Sequence, residues 1–373
     1  MDERLLAERL ITYDTSQPDG LRAAAGFVKG WLESREIDVT DRDHDGLPVI
    51  AADVGSASGP VIIFHGHLDV VPGRPEQFEP RVEGDRLIGR GAYDMKGGLA
   101  AMMCAVRDLA AQRSARVRFL CTPDEESEEF EGCATEELVR GGYAGDFAIT
   151  GEPTDLHIGV QAKGVLAIRL EVTGKAAHGA TPWLGDNAVL KAVDVFRAIE
   201  SLPFSRESSD LFDRPSINLG RISGGDALNK VPDECRMDVD VRYLPEQDPG
   251  EILSQIRALP DVEVTRTFTR VPALVSRTNP FVWALRDAVG SLAQGEVLSV
   301  GRDGASDAVA FLAAGIPAVE FGPEGAGHHG PDEWVSISSL QSYRQALTAF
   351  VDQLPNSLAG QDAKLRAVEE DAG

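Results

Sequence analysis

The chain has 373 residues, of which 43% are hydrophobic and 26% are charged, proportions that are ordinary for a globular protein. Acidic residues outnumber basic ones by 60 to 36, and the net charge of −24 argues against nucleic acid and anionic membrane surfaces as partners. No run approaches the roughly 18 apolar residues of a membrane span, and the charged N-terminus is unlike a signal peptide. We therefore expect a cytoplasmic protein with no membrane partner.

The cysteines and the excess of acidic residues say less about the function. The 4 cysteines show neither a paired metal spacing nor a disulfide framework, so we expect reduced thiols. The acidic surface has two open interpretations, a coding bias or adaptation to high salt.

Strands that alternate with helices are predicted over the first part of the chain. Amphipathic helices are predicted over 2–12 and 21–34, and buried strands over 49–54, 61–64, 117–122 and 147–150. A further helix follows Asp94, because Leu99, Met102, Met103 and Val106 recur at helical spacing. This alternation predicts an α/β fold with a mainly parallel sheet flanked by helices.

The pattern changes near Lys163-Gly164, where an alternating strand begins. The predicted elements are strands over 165–172, 216–222, 235–243 and 262–270, with helices over 186–200 and 249–258. Their order, β-α-β-β-α-β, is the ferredoxin-like plan. We predict that residues 164–278 form a small α+β lid and dimerisation domain, inserted into a catalytic domain of residues 1–163 and 279–373. The α/β pattern returns with helices over 280–293 and 306–314 and a strand over 318–321, and residues from about 356 are predicted to form a loose tail.

Histidine and acidic side chains follow the predicted strands or open loops, where functional groups gather in α/β sheets. The candidates are His67, Asp94, Glu125, Glu126, Glu152, His328 and His329. Imidazoles and carboxylates without thiolates suit zinc, cobalt or manganese. Two such ions make hydroxide near neutral pH and polarise a carbonyl, and an adjacent free glutamate transfers the proton.

Five motifs occur in order along the chain. They are His67-Leu-Asp69, Gly91-Ala-Tyr-Asp94-Met-Lys-Gly-Gly, Pro123-Asp-Glu125-Glu126, Gly151-Glu152-Pro153 and His329-Gly-Pro-Asp-Glu333. Together they resemble the dinuclear-zinc family of aminoacylase, acetylornithine deacetylase, succinyl-diaminopimelate desuccinylase and carboxypeptidase G (metallopeptidase clan MH). The resemblance covers essentially the whole chain.

The resemblance implies two Zn²⁺ ions per subunit, with Co²⁺ or Mn²⁺ as substitutes, bridged by Asp94. His67 and Glu152 would complete one metal position, and Glu126 and His329 the other. Glu125 would be the general acid and base, and Asp69 would orient His67.

Two positions near these ligands need separate comment. His329 is preferred over His328 because the family ligand precedes the Asp-Glu pair by three residues, as His329 precedes Asp332-Glu333. His328 is then expected on the pocket wall. Tyr93 departs from the family pattern, since many relatives carry a small residue there, and we expect it to narrow the pocket or alter a contact beside Asp94.

The inserted segment carries the family's other marks. Gly174-Lys-Ala-Ala-His178-Gly resembles the lid loop whose histidine stabilises an oxyanion, supplied in relatives by the partner subunit of a dimer. Asn229 resembles a substrate-binding residue, and Arg242 the arginine that grips the substrate carboxylate. Gly304 and Ser306 lie in a segment, Gly304-Ala-Ser-Asp307, that resembles the loop at this carboxylate.

These features predict a metal-dependent amidohydrolase that removes an acyl group from an N-acyl amino acid. An N-succinyl- or N-acetyl-diamino acid is the first choice of substrate, and a dipeptidase or carboxypeptidase acting on a short peptide is the alternative. Two readings from other classes stay open: a phosphoesterase with two metals and a noncatalytic small-molecule-binding protein. The resemblance also implies a homodimer formed through the lid domain.

Overall fold

The computed structural model describes residues 2–56, 58–126, 133–292, 297–304 and 306–371. The helices are α1 (Glu3–Ile11), α2 (Pro18–Glu33), α3 (Gly97–Asp108), α4 (Ala134–Arg140), α5 (Ala188–Ile199), α6 (Pro249–Arg257), α7 (Pro280–Leu292), α8 (Ala308–Ala313) and α9 (Ile337–Asp371). The strands of the first half are β1 (Val39–His44), β2 (Leu47–Gly55), β3 (Val61–His67), β4 (Arg81–Glu83), β5 (Arg86–Ile88), β6 (Arg116–Thr122), β7 (Phe147–Thr150) and β8 (Ile158–Ala162). The remaining strands are β9 (Gly164–Thr173), β10 (Ser216–Gly224), β11 (Glu234–Tyr243), β12 (Val262–Arg270), β13 (Ala273–Leu274), β14 (Ser299–Arg302), β15 (Ala318–Glu320), β16 (Gly325–Ala326) and β17 (Trp334–Ser336).

The chain divides into two compact units, of which the first comprises Met1–Val160, Val275–Val300 and Asp307–Gly373. Its large sheet has the order β1-β2-β6-β3-β7-β15-β8. The central strands β6, β3, β7 and β15 are parallel, and antiparallel strands lie outside them. The predicted α/β fold with a mainly parallel sheet flanked by helices is confirmed.

The core of this unit explains why the site lies at one edge of the sheet. Residues Ile62, Ile63 and Phe64 of β3 are fully buried, because a strand covered on both faces must be apolar on both faces. Helix α3 is buried along Gly97–Val106, in keeping with its apolar sequence on every side. Polar residues of β3 therefore begin only at its carboxyl end, at His65 and His67.

The second unit comprises Gln161–Leu274 and Gly301–Ser306. Its four-stranded antiparallel sheet has the order β10-β11-β9-β12, which with α5 and α6 is the predicted ferredoxin-like arrangement. Its boundaries lie a few residues from the predicted 164–278, and it also takes in residues 301–306. The reason is local pairing, since the Lys163 backbone N–H donates to Arg302 O and the Lys163 ammonium lies 2.7 Å from Asp303.

The prediction of a loose C-terminal tail is wrong. Helix α9 runs for 35 residues to Asp371, through the segment from 356 onward. Its first half is anchored by buried Leu340, Tyr343, Leu347 and Phe350. The segment beyond is rich in Ala, Leu, Gln, Glu, Lys and Arg, which favour helix even without an amphipathic pattern, so the helix continues.

Two further sequence predictions concern the chain as a whole. Across the residues that the structure describes, no helix is both long and apolar enough to cross a membrane. Cys104, Cys121, Cys133 and Cys235 are free thiols and all are buried, as expected.

Candidate metal centre

His67, Asp94 and Glu152 come together at the carboxyl edge of the large sheet. His67 ends β3 and Glu152 follows β7, and these neighbouring strands are parallel, so their carboxyl ends lie side by side. Asp94 lies in the turn Ala92–Lys96 that precedes α3. The His67 Nε2 atom is 3.0 Å from Asp94 Oδ1 and 3.5 Å from Glu152 Oε1.

Asp94 is shared with a second group on its other carboxylate oxygen. His329 Nε2 is 3.2 Å from Asp94 Oδ2 and 3.0 Å from Glu126 Oε1. The His328 Nε2 atom also contacts Asp94 Oδ2. The structure thus brings together all five residues predicted as metal ligands and adds His328, which was expected only on the pocket wall.

Asp69 connects the first group to the Glu125-Glu126 turn. Its carboxylate accepts the backbone N–H of Glu125 at 3.2 Å and of Glu126 at 2.7 Å. His67 Nδ1 lies 3.0 Å from the Asp69 backbone carbonyl and 3.4 Å from its carboxylate. Asp69 is therefore placed to hold both the His67 ring and the turn that carries the two glutamates.

Glu333 fixes the backbone of the turn that carries Asp94. Its buried carboxylate accepts backbone N–H groups from Gly91 (3.1 Å), Tyr93 (3.0 Å) and Asp94 (3.1 Å). Arg90 donates to the same carboxylate at 2.8 Å and to the His329 carbonyl at 3.2 Å. Gly91 has a φ of 78°, a left-handed conformation that favours glycine where this turn begins.

The electrostatics of the cluster are those of crowded, buried carboxylates. Burial raises the pKa of Glu125 and of Glu152 well above the usual carboxyl value. Burial alone would lower the pKa of His67, but hydrogen bonds with Asp69 and Asp94 outweigh it and raise the pKa well above 6.5. Contacts with Asp94 and Glu126 raise the pKa of His329 to about 10. The pocket therefore favours positive charge next to its acidic groups.

This donor set fits divalent metal ions. Two groups, His67–Asp94–Glu152 and Asp94–His328–His329, each place their ligand atoms within 4.8 Å of one another. Both are built from imidazole and carboxylate, the ligands of zinc and related ions. A bound cation would compensate the negative charge of the buried carboxylates that contact these imidazoles.

His65, which precedes His67 on β3, belongs to a different cluster. Its Nε2 atom is 3.0 Å from Thr135 Oγ1, 3.2 Å from Thr122 Oγ1 and 3.5 Å from Asp307 Oδ2. Burial lowers the pKa of His65 to about 4, so the ring is neutral at physiological pH.

Two predicted residues of the second unit lie side by side. The Gly179 backbone N–H donates to the Asn229 carbonyl at 2.7 Å, which sets the His178 loop against the Asn229 turn. The His178 Nδ1 atom accepts the Ala180 backbone N–H at 3.0 Å, and the side chain is exposed. The roles of His178 and Asn229 in a reaction remain predictions.

The other predicted substrate residues also belong to the second unit. Arg242 on β11 donates from Nε to Asp240 Oδ2 at 2.9 Å. Gly304 is exposed and Ser306 is buried, and both belong to the segment Gly301–Ser306. Their proposed contacts with a substrate stay predictions.

Sequence reasoning missed several residues that shape the site. Glu333 lies in one of the five motifs but had no predicted role, and neither Arg90 nor Asp155, which accepts the Tyr93 hydroxyl, was predicted. Arg90 adjoins a motif, but only the long-range pairing at 2.8 Å shows what it does. Such contacts leave no local periodic signal.

The fold and the two donor groups that share the Asp94 carboxylate define an α/β protein with a candidate site for divalent metal ions. The model for peptidase family M20/M25/M40 matches residues 63–353, and the chain belongs to this family of metal-dependent hydrolases.

The similar proteins include succinyl-diaminopimelate desuccinylases. That of Beijerinckia indica is 31% identical, with 93% of this chain and 97% of that protein covered. That of Leptothrix cholodnii is also 31% identical, with 94% and 97% covered. Among solved structures, an M20 family metallo-carboxypeptidase from Sulfolobus solfataricus aligns with a TM-score of 0.77 at 19% identity, covering 95% of this chain and 100% of that one. This last likeness concerns the fold.

Proposed function

We propose that this protein hydrolyses an amide bond next to a free carboxylate, with two metal ions bridged by Asp94. The observation that carries the proposal is the position of Asp94, whose two oxygens face separate groups of donors. Glu125 beside them is the free base, since its neighbour Glu126 is the one that contacts His329. A noncatalytic binding protein would have no use for this base.

The proposed ligands are His67, Asp94 and Glu152 for one ion and Asp94, Glu126 and His329 for the other. Zn²⁺ is the expected metal, with Co²⁺ or Mn²⁺ as substitutes. When bound, such ions lower the pKa of a water molecule and polarise the amide carbonyl.

Glu125 then performs the proton transfers. Its raised pKa, caused first by burial, suits a group that must take a proton near neutral pH and give it back. The carboxylate accepts a proton from the attacking water, whose oxygen bonds to the acyl carbon. It delivers the proton to the amine nitrogen as the C–N bond breaks.

The second unit would supply the substrate contacts. His178 would donate a hydrogen bond to the developing oxyanion, and Arg242 would bind the substrate carboxylate through its planar guanidinium. Asn229, Gly304 and Ser306 would contact the same substrate.

A homodimer formed through the second unit is part of the proposal. Exposed apolar side chains there support it, among them Trp183 at 75%, Leu184 at 62%, Leu190 at 64% and Leu228 at 108% exposed. Strand β10 is moreover at an edge of its sheet, where a second strand can pair. Light scattering after gel filtration tests the assembly, and a monomer at assay concentrations would contradict it.

For the substrate, the named relatives favour an N-succinyl-diamino acid, with an N-acetyl-diamino acid next. A short peptide is the alternative, in view of the peptidase family to which the chain belongs. The four buried free cysteines suit the reducing cytoplasm that we propose as its location.

Amine release from a small panel tests the substrate. The panel holds N-succinyl-diaminopimelate, N-acetylornithine, N-acetylmethionine and a dipeptide, each with zinc-loaded protein and with chelator. We expect chelator-sensitive turnover that is fastest on N-succinyl-diaminopimelate. Turnover of the dipeptide alone would assign the protein to the peptidases, and no turnover by fully metal-loaded protein would contradict the proposal.

A further inference from the structure

His328 lies at the metal centre, although the family resemblance assigns only His329 to it. The Nε2 atoms of both rings approach Asp94 Oδ2, the His329 atom at 3.2 Å. The two ring centroids are 4.4 Å apart at an interplanar angle of 81°, an edge-to-face arrangement that lets both nitrogens point at one oxygen. Asp94, His328 and His329 form one of the two donor groups with ligand atoms within 4.8 Å.

The ring of Tyr93 supports His328 from outside the cluster. Its centroid lies 6.2 Å from that of His328 at 85°, again edge to face. Tyr93 is only 8% exposed, so its ring is enclosed on its other sides.

Asp155 fixes both Tyr93 and the strand that leads to His328. The Tyr93 hydroxyl donates to Asp155 Oδ1 at 2.9 Å, and the Gly325 backbone N–H donates to the same oxygen at 3.2 Å. A Cβ at Gly325 would lie 2.5 Å from Tyr93 Cδ2. The glycine therefore leaves space for the tyrosine ring. Strand β16 begins at this glycine and leads into the loop of His328, so the start of that loop is held at a fixed distance from Tyr93.

We propose that His328 is a third imidazole ligand of the metal centre, binding the same ion as Glu126 and His329, with Tyr93 and Asp155 as positioning residues. The inference rests on the proposed metal-dependent function. It makes the two metal positions unequal, because the one with His67, Asp94 and Glu152 has a single nitrogen donor. The nitrogen-rich position should favour Co²⁺ and Zn²⁺ over Mn²⁺ more strongly than the other.

The test measures metal binding in addition to activity. Dissociation constants for both ions are determined by chelator competition in the wild type, His328→Ala, His328→Gln and a matched control, His157→Ala. The control removes a ring whose Nδ1 accepts the Leu298 backbone N–H. Absorption spectra of the Co²⁺-loaded proteins report on the nitrogen ligands, and circular dichroism of the metal-free proteins checks that each variant folds.

Both His328 variants should raise the dissociation constant of one ion by about 100-fold or more and leave that of the other ion unchanged. This loss exceeds the roughly 10- to 100-fold that is typical when a residue that only positions a ligand is removed. Their Co²⁺ spectra should differ from that of the wild type. Tyr93→Ala should raise the dissociation constant of the same ion by about 10-fold, as expected for a positioning residue. Tyr93→Phe should raise it by a smaller factor.

Wild-type constants and spectra in folded His328→Ala and His328→Gln would overturn the inference and leave the proposed function standing. An equal loss in His157→Ala would also overturn it, since the effect would not be specific to His328. A wild type that binds no metal would overturn both.

Discussion

The carboxylate of Glu333 accepts the backbone N–H of Asp94 at 3.1 Å, so a residue near the C-terminal helix fixes the backbone of the residue whose side chain both donor groups share. The same carboxylate pairs with Arg90, which also holds the His329 carbonyl. The two loops that carry Asp94 and His329 are thus joined by one buried ion pair.

Glu333→Gln should destabilise the protein and weaken metal binding together. The amide keeps one acceptor oxygen where the carboxylate has two, and it leaves the Arg90 charge buried without its partner. Breaking such a pair costs about 3–5 kcal/mol. Urea unfolding of the metal-free protein and a zinc titration measure the two effects. Glu83→Gln, at an exposed glutamate of β4, is the control, and equal stability of both variants would refute the role of Glu333.

Glu125 and Glu126 are adjacent but should respond differently to the same substitution. Glu125→Gln should keep both ions and lose about 10²- to 10⁴-fold in kcat, because only proton transfer is removed. Glu126→Gln should lose affinity for one ion, because Glu126 contacts His329 at 3.0 Å. Metal content and kcat, measured on both variants, distinguish the base from the metal ligand. The reverse pattern would exchange the two roles.

Metal removal should lower the thermal stability of the wild type. Each ion would bind the folded site but not the dispersed ligands of the unfolded chain, so each would stabilise the fold by about 3–4 kcal/mol at 100 to 1,000 times its Kd. Calorimetry with chelator, and again after zinc is restored, measures the effect. The melting temperature of Glu126→Gln should fall less on addition of chelator. A wild-type melting temperature that chelator does not change would argue against bound metal.

The contribution of His44 to stability should depend on pH. This buried ring lies 2.9 Å from Glu137 and 3.1 Å from Asp124. Burial lowers the pKa of His44, but the two carboxylates outweigh it and raise the pKa above 6.5. A group whose pKa rises on folding stabilises fully below its unfolded pKa and loses that effect as pH rises through its folded pKa.

The wild type should therefore have a higher free energy of unfolding than His44→Gln, and the difference should be largest at about pH 5.5. It should shrink as pH rises beyond about 6.5. Urea unfolding of both proteins across this range, with His157→Gln as control, measures the trend. A difference that grows with pH would contradict it.

Much of the fold could be predicted because its signals are local. The apolar run of β3, the alternation of β9 and the periodic pattern of α5 each specify their own element. The candidate metal ligands were singled out because most of them follow strands, where functional groups gather, and because five motifs resemble those of a known family.

The site contacts that were missed share a physical cause, which is dependence on residues distant in sequence. Arg90 meets Glu333 across 243 positions, and His328 meets Asp94 across 234. The C-terminal helix was missed for a different, local reason: the residues past 356 favour helix, although no amphipathic stripe marks that segment.

The most direct test of the central claim is the rate of amine release from N-succinyl-diaminopimelate as Zn²⁺ is titrated into stripped protein. The account predicts no activity without metal, a rise that levels off near two ions per chain, and a Glu125→Gln variant that binds the same ions without the rise. Full activity in stripped protein, or equal activity in Glu125→Gln, would contradict it.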